Sequence, residues 1–358
     1  MRDSFKALYN RVLYLRIRYF YRKKIKSLIE KRGMKIKISN GYSEKIDSFW
    51  SSGLGLKINK NWHIAYSTVN GKEDHRYIPE DVFYTLIERS LNQYDLAQAY
   101  SDKNNYDLFL DDYPQPETLI KKINGNFYNK QRTKLTKEEV INILLFKPGE
   151  IFIKPSLDSG GGKNVSLLKI DNNKIILKNK KLSFDKLDSI YKDNYIIQKK
   201  VNQHKILQDI YPHSLNTIRI TTLFWDNKVE VLSSVIRFGN KGLNVDNGGI
   251  ACGIDDDGIL KSPIDKNGFV HEKHPYTNYV LKDIKIPGYE EVKKLVLNLH
   301  LKLPYFRMVS WDVAIDENSK PILLELNLKG QEINFHQFNN GPIFKGFTEE
   351  ICKFSIDK

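Results

Sequence analysis

Residues 311–327 read WDVAIDENSKPILLELN, two apolar runs around the turn DENSKP, and this segment constrains the fold more than any other. Runs this apolar form buried strands, and the turn closes them into a hairpin. Asp312 on the first strand and Glu325 and Asn327 on the second break the apolar pattern. Glu325 and Asn327 lie two apart and so share a strand face, with Leu324 and Leu326 on the other. Asp312 across the hairpin completes an all-oxygen cluster of the kind that suits Mg²⁺, or Mn²⁺, together with substrate phosphates. The alternative, exposed polar residues on an ordinary hairpin, fits poorly with a run such as ILLEL.

Three further segments carry anion-binding chemistry. In IFIKPSLDSGGGKNVSLL (residues 151–168) a short apolar strand ends in Lys154, and Asp158, Ser159, Gly160, Gly161, Gly162 and Lys163 follow. Glycines between strands let backbone N–H groups approach phosphates, and the lysine adds a point charge. The GxxxxGK[ST] pattern of a Walker loop is absent, and a plain flexible hairpin is the competing reading. In NTIRITTLFWDNKVEVLSSVIRFG (residues 216–239) the spacing predicts a hairpin turning at Asp226 and Asn227, with Thr217, Arg219 and Thr221 on one face. Arg219 and Arg237 on interior strands each need a partner, either a structural carboxylate or a phosphate. Asn247, Gly248 and Gly249, with Asn244 just upstream, form either an anion loop or a simple turn.

The remaining sequence sets the frame. A chain of 358 residues predicts two or three packed subdomains, and the β-rich segments after residue 146, separated by Gly, Asn and Asp turns, predict an α+β class. Residues 79–99 read as the clearest helix, 102–110 as its continuation up to DDYPQPET, and 136–146 as a helix capped by Thr136. Residues 1–34 predict a long basic amphipathic helix, packed on its own domain or docked on anionic lipid or a glycan-lipid carrier. A net charge of +14 favours anionic partners without choosing among them. Cys252 and Cys352 are far apart and match no zinc or disulfide spacing. With no apolar run long enough for a signal peptide or a spanning helix, a cytoplasmic protein is expected, associated with the inner membrane face if the basic helix docks there.

In order along the chain, these pieces resemble the ATP-grasp superfamily, most closely the family found among sugar-transfer and surface-polysaccharide genes, over residues 77–350. DKNNYDLFLDDYPQPET is similar to the family's Asp-Lys, short helix and Pro-x-Thr pattern, and the resemblance places Lys103 near the nucleotide. It assigns Lys154 and residues 159–162 to the ATP phosphates. It makes YIIQKKV (residues 195–201) the adenine hinge, with Gln198 where most members carry Glu, and with Lys199, Lys200 and Val201 supplying backbone and packing contacts. Arg219 and Arg237 match arginines that face the phosphates and the acyl-phosphate centre, Asn247 to Gly249 match the anion loop, and Leu324 joins the nucleotide set. Asp312, Glu325 and Asn327 match the metal ligands. Where the family continues with Pro-Gly, this chain reads LKGQEINFHQFNNGPIF, which leaves Gln331, His336, Gln337 and Asn339 as substrate-contact candidates.

The resemblance implies ATP held between two α+β subdomains. The boundaries it implies are 1–34 for the basic helix, 35–145 for an N-terminal domain, 146–200 for a lid and 201–358 for a C-terminal subdomain with the metal site. It also implies a carboxylate–amine ligase working through an acyl phosphate, with a uronic acid of a surface polysaccharide or its precursor as the carboxylate and an amino acid or other amine as the acceptor. The alternatives are a peptide-forming ligase, a nucleotide-binding scaffold without turnover, and nucleic-acid binding through the basic helix, for which no recognition signature is present. A homodimer is the expected assembly.

Overall fold

The computed structural model describes residues 2–34, 38–110, 112–146, 148–157, 164–239 and 249–358, with side chains from residue 11 onward. Two antiparallel sheets organise these residues. The first has eight strands: β1 (Thr118–Ile123), β2 (Asn126–Tyr128), β3 (Lys134–Leu135), β4 (Gly149–Pro155), β5 (Ser166–Asp171), β6 (Lys174–Leu177), β7 (Lys180–Leu182) and β8 (Tyr195–Lys199), in the order β3-β2-β1-β8-β4-β5-β6-β7. The second has six: β9 (Thr217–Trp225), β10 (Lys228–Phe238), β11 (Ile250–Ile254), β12 (Leu260–Asp265), β13 (Met308–Ile315) and β14 (Pro321–Asn327), in the order β12-β11-β10-β9-β13-β14. The first sheet thus takes in strands on both sides of the 145/146 boundary expected from sequence.

Alternation along β4 and β8 divides the first sheet into two faces. Ile151, Ile153 and Ile197 enter a core with Val140 and Leu144 of the helix Lys137–Phe146 and Leu187 of the helix Phe184–Tyr191. The Lys137–Phe146 helix starts with the predicted cap: the Glu139 N–H donates to Thr136 Oγ1 (3.2 Å) and the Thr136 N–H to Glu139 Oε2 (2.7 Å). Phe152 pairs with Gln198 and Lys154 with Ile196, so Phe152, Lys154 and Gln198 share the opposite face.

The second sheet buries Ile218, Ile220, Trp311 and Val313 against Val292, Val296 and Leu299 of the helix Tyr289–His300. Full burial of such side chains contributes about 1.5–3 kcal/mol each. The β9–β10 hairpin turns at Asp226 and Asn227, both with positive φ (45° and 59°), as a two-residue turn requires. The helix Ile333–Asn340 packs on β10 and β11, and the helices Arg2–Lys31, Lys205–Ile210 and Thr348–Asp357 join the helical segments between Asn40 and Ser101 around the sheets.

The 79–110 region departs from the single long helix expected. Helical turns run from Glu80 to Leu91 with a π-helical stretch at Phe83–Ile87, stop, and resume at Tyr94–Ser101. The stop is Asn92, whose Nδ2 donates to the Met308 and Leu328 carbonyls (both 2.7 Å) and whose Oδ1 accepts the Met308 N–H (3.1 Å). These tertiary bonds outweigh local helix propensity. A second stop follows Ser101: Asp102 is extended, its carboxylate accepts the Asn104 N–H (3.0 Å), and only Tyr106–Phe109 is helical beyond it.

Candidate active site

Four strands place charged side chains in one diagonal row. Arg237 on β10 pairs in register with Thr217, Arg219 on β9 with Asp312 on β13, and Asp312 with Glu325 on β14. Directly opposed residues point to the same face, so pairing alone brings these groups together. Arg219 grips Asp312 in a fork, Nε to Oδ1 and Nη2 to Oδ2, both 2.8 Å. Arg237 Nη2 stands 3.3 Å from Asp312 Oδ2 and donates to Thr217 Oγ1 (3.1 Å). Burial alone would raise the Asp312 carboxyl, but the two guanidiniums hold it well below the usual carboxylate range. Asn327 Nδ2 reaches the Ser310 carbonyl at 3.3 Å.

A short connection ties this row to the first sheet. The Lys103 N–H donates to the Ser156 carbonyl just after β4 (3.0 Å), while its buried ammonium lies 2.8 Å from Glu325 Oε1. Asn104 Nδ2 donates to the Lys122 carbonyl on β1 (2.9 Å), and Lys121 Nζ returns to the Asn104 carbonyl (3.0 Å) and to Asp107 (2.7 Å). On the far side, the Tyr106 hydroxyl accepts the Leu326 N–H (3.2 Å). Residues 102–107 therefore span from one sheet to the other.

Lys154 completes the cluster from the first sheet. Desolvation and then the nearby Lys103 ammonium push its amine down to about 8, with Glu325 opposing. Lys103, Lys154, Arg219, Arg237, Asp312, Glu325 and Asn327 thus occupy one region, a small step along β4 from Gln198.

Other expectations need correction. Leu324 does not share the core face with Leu326. The β13–β14 register shifts between Asp312 and Val313, so Leu323 and Leu326 enter the core and Leu324 stays only partly buried. In the hinge, the Lys199 N–H bonds the Glu117 carbonyl (2.9 Å) and the Lys200 N–H the Glu150 carbonyl (3.2 Å). Their ammoniums pair with Glu117 (2.5 Å) and Glu150 (2.6 Å), so both lysines' amides and side chains serve the sheet. Val201 follows them with its side chain partly buried. Gln198 is buried, and its Nε2 donates to Thr118 Oγ1 (3.1 Å) and the Pro116 carbonyl (3.4 Å). With the nitrogen so placed, its oxygen is the group available as an acceptor.

The four substrate-contact candidates are framework residues. Gln337 forms a reciprocal pair with the Ile78 backbone (2.9 Å each way), and Asn339 accepts the Gly253 N–H (2.8 Å). Gln331 binds Ser310 and the Met308 carbonyl. His336 lies behind the arginine row between Ser233 (2.9 Å) and Thr221 (3.3 Å), and burial followed by Arg219 and Arg237 pushes it down to about 3. Gly249 makes a close approach, but to protein: a Cβ there would collide with the Phe238 carbonyl. Ser159, Gly160, Gly161, Gly162, Asn244, Asn247 and Gly248 lie outside the described residues.

Glu332 and Tyr84 escaped sequence reasoning. Half-exposed Glu332, in a left-handed conformation (φ 53°) at the start of the helix Ile333–Asn340, receives Arg219 Nη1 at 2.5 Å. Its N–H donates to the Tyr84 hydroxyl (3.1 Å), which the π-helical turn carries to this position. An acidic residue two after Gly330, opening a helical pattern, is the signal that marks it. A separate cavity of ≈ 680 Å³ lined by Tyr42, Phe49, Asp74, His75 and Glu349 shares no residue with this row.

No curated protein sequence matches the chain. Among solved structures it is similar to an ATP-grasp superfamily protein from Archaeoglobus fulgidus, at 12% identity and TM-score 0.34, covering 67% of this chain and 49% of that one. It is also similar to L-amino acid ligase from Bacillus licheniformis (10%, TM-score 0.38, 86% and 52%) and to biotin carboxylase from Campylobacter jejuni (10%, TM-score 0.44, 73% and 46%). The chain spans about half the length of these solved relatives. The sequence model of the sugar-transfer associated ATP-grasp family matches residues 85–353, which is most of the chain. With its two antiparallel sheets and flanking helices, the protein is an α+β member of the sugar-transfer associated ATP-grasp family.

Proposed function

We propose that this protein is an ATP-dependent carboxylate–amine ligase, with ATP lying between its two sheets. The observation that carries the proposal is the charged row Arg237, Arg219, Asp312 and Glu325 joined through Lys103 to Lys154 on the opposite sheet. Four cations and two carboxylates converge there from both halves of the molecule. Polyphosphate transfer needs such an arrangement, because its barrier is lowered chiefly by positioning and charge compensation.

In this reading a substrate carboxylate oxygen attacks the γ-phosphorus of ATP and ADP leaves, giving an acyl phosphate. An amine nitrogen then attacks the acyl carbon; the C–N bond forms, the C–O bond to phosphate breaks, and the amine gives up a proton. Arg219 and Arg237 turn from Asp312 toward the transferring phosphate, and Lys154 meets the charge from the first sheet. Gln198, through its side-chain oxygen, and Val201 face the adenine.

Among the described residues no group of three His, Cys, Asp or Glu is placed to hold a metal by itself, but Asp312, Glu325 and the amide oxygen of Asn327 are oxygen donors on adjacent strands, and Asp312 is held ionised. This set fits Mg²⁺, which takes few carboxylates and completes its shell with phosphate and water. When bound, Mg²⁺ supplies charge neutralisation at the phosphate oxygens.

The family's association with sugar transfer supports a uronic acid, within a nucleotide sugar or a surface glycan, as the carboxylate, and an amino acid or amino alcohol as the amine. The test is ADP release from Mg-ATP across uronic acids, nucleotide-sugar uronates and acidic glycans, with and without pooled amines, in the wild type and Glu325→Ala. Release that requires a uronate, rises with an amine and disappears in the variant supports the proposal. Turnover with amino acids alone replaces the uronate, and ATP binding without turnover on any carboxylate defeats the ligase reading.

A further inference from the structure

The helix Arg2–Lys31 has two different sides. Its inner side is accounted for: Ile25 and Ile29 are buried, and Ile17 and Tyr21 pack against the helical layer. Tyr21 stacks on Tyr84 (4.6 Å between centroids), and Arg22 and Lys24 pair with Asp81 (2.7 Å) and Glu80 (3.0 Å). The side facing away from these contacts carries apolar residues in the open: Val12 is 49% exposed, Leu15 61%, Tyr19 70% and Phe20 61%. Spacings of three and four put Val12, Leu15 and Tyr19 on one stripe, and Phe20 lies about 100° further round the helix, beyond Arg16 and Lys23. Arg16 and Lys23 border this stripe on one flank and Arg11 on the other, all exposed. The whole helix holds ten Arg and Lys against Asp3 and Glu30.

We propose that this outer face lies on an anionic lipid surface, with Val12, Leu15, Tyr19 and Phe20 entering the headgroup boundary and Arg16 and Lys23 meeting lipid phosphates. An exposed apolar stripe bordered by cations is the pattern of a helix that rests in the plane of a membrane interface. It does not suit a two-fold contact between copies of this chain, in which the basic borders would face each other. Nor does it suit nucleic acid, which gains little from aliphatic Val12 and Leu15 at the centre of the stripe. Among the described residues no helix is long and apolar enough to cross a membrane, so the contact is peripheral. The proposal is independent of the ligase reading, because none of these residues belongs to the charged row.

The test is co-sedimentation of the full chain with phosphatidylcholine vesicles, with and without phosphatidylglycerol, at low and high salt. The wild type is expected to sediment with the phosphatidylglycerol vesicles and to be released by salt. Arg16→Ala with Lys23→Ala is expected to lower partitioning about thirty-fold, from the contribution of each basic residue near an anionic surface. Leu15→Ser with Phe20→Ser is expected to lose binding at every salt concentration. Circular dichroism and ATP affinity should be unchanged in both variants, since the substituted side chains are exposed and none belongs to the charged row. No sedimentation of the wild type would overturn the proposal. So would a dimer in solution that Leu15→Ser with Phe20→Ser dissolves while vesicle binding is absent, or oligonucleotide retention that exceeds vesicle binding and ignores that pair.

Discussion

Asp312 and Glu325 face each other across one strand pair, yet their surroundings give them different work. Asp312 is buried between two guanidiniums, and removing it takes from both the carboxylate they share, leaving Glu332 on Arg219. Asp312→Ala is therefore expected to destabilise the fold by about 3–5 kcal/mol, read as a lower urea midpoint. Because its folded pKa is depressed, the stability it confers is present above its unfolded value and is lost as pH falls below about 4. Glu325 is more open, but the Lys103 ammonium it meets is buried, so Glu325→Ala is expected to lower the urea midpoint, by less than Asp312→Ala does, while abolishing turnover. Equal destabilisation in the two variants would contradict this division. Lys154 adds a pH signature. Its free-protein value of about 8 means that polyphosphate binding above that pH must draw in a proton, so affinity for ATP falls as pH rises. Calorimetry above about pH 8 in two buffers of different ionisation heat should show proton uptake in the wild type and none in Lys154→Met. Sequence made the identity of these residues legible, because charges inside apolar strand runs are conspicuous. It did not show that Arg219 and Asp312 are register partners, since pairing register is set by the whole sheet.

At the level of elements, strands and turns were easier to read than helices. The β9–β10 turn at Asp226 and Asn227 and the Thr136 cap follow from local chemistry and stand where the sequence places them. The helix breaks at Asn92 and Asp102 depend on partners more than fifty residues away or on a local turn within a helical pattern, and periodicity cannot register either. The helix Ile333–Asn340 carries the clearest lesson. Its polar residues look like substrate ligands in the sequence, and in the fold they fasten the helix to the sheet and to Ile78. Gln337→Leu would leave the Ile78 N–H and carbonyl without partners, at on the order of 1–3 kcal/mol for each group. Thermal unfolding should show that loss, while the Michaelis constants of the folded enzyme stay unchanged. A raised constant for the carboxylate or the amine at undiminished stability would restore Gln337 as a ligand.

On the scale of the molecule, the arrangement places two sheets on either side of one charged cluster, with residues 102–107 as the tie between them. The α+β class and the family were legible because six motifs fall in the right order along the chain. The extent of the first sheet was not, because β1–β3 join it only through the pairing of β1 with β8, which is distant in sequence. The central claim is that this cluster activates a carboxylate as an acyl phosphate. Hydroxylamine captures such an intermediate whatever the natural amine is, so the most direct measurement is hydroxamate formation from Mg-ATP, hydroxylamine and a panel of uronates and other carboxylates. The account predicts hydroxamate in step with ADP for at least one uronate in the wild type and none in Glu325→Ala. ADP release without hydroxamate on every carboxylate would contradict it.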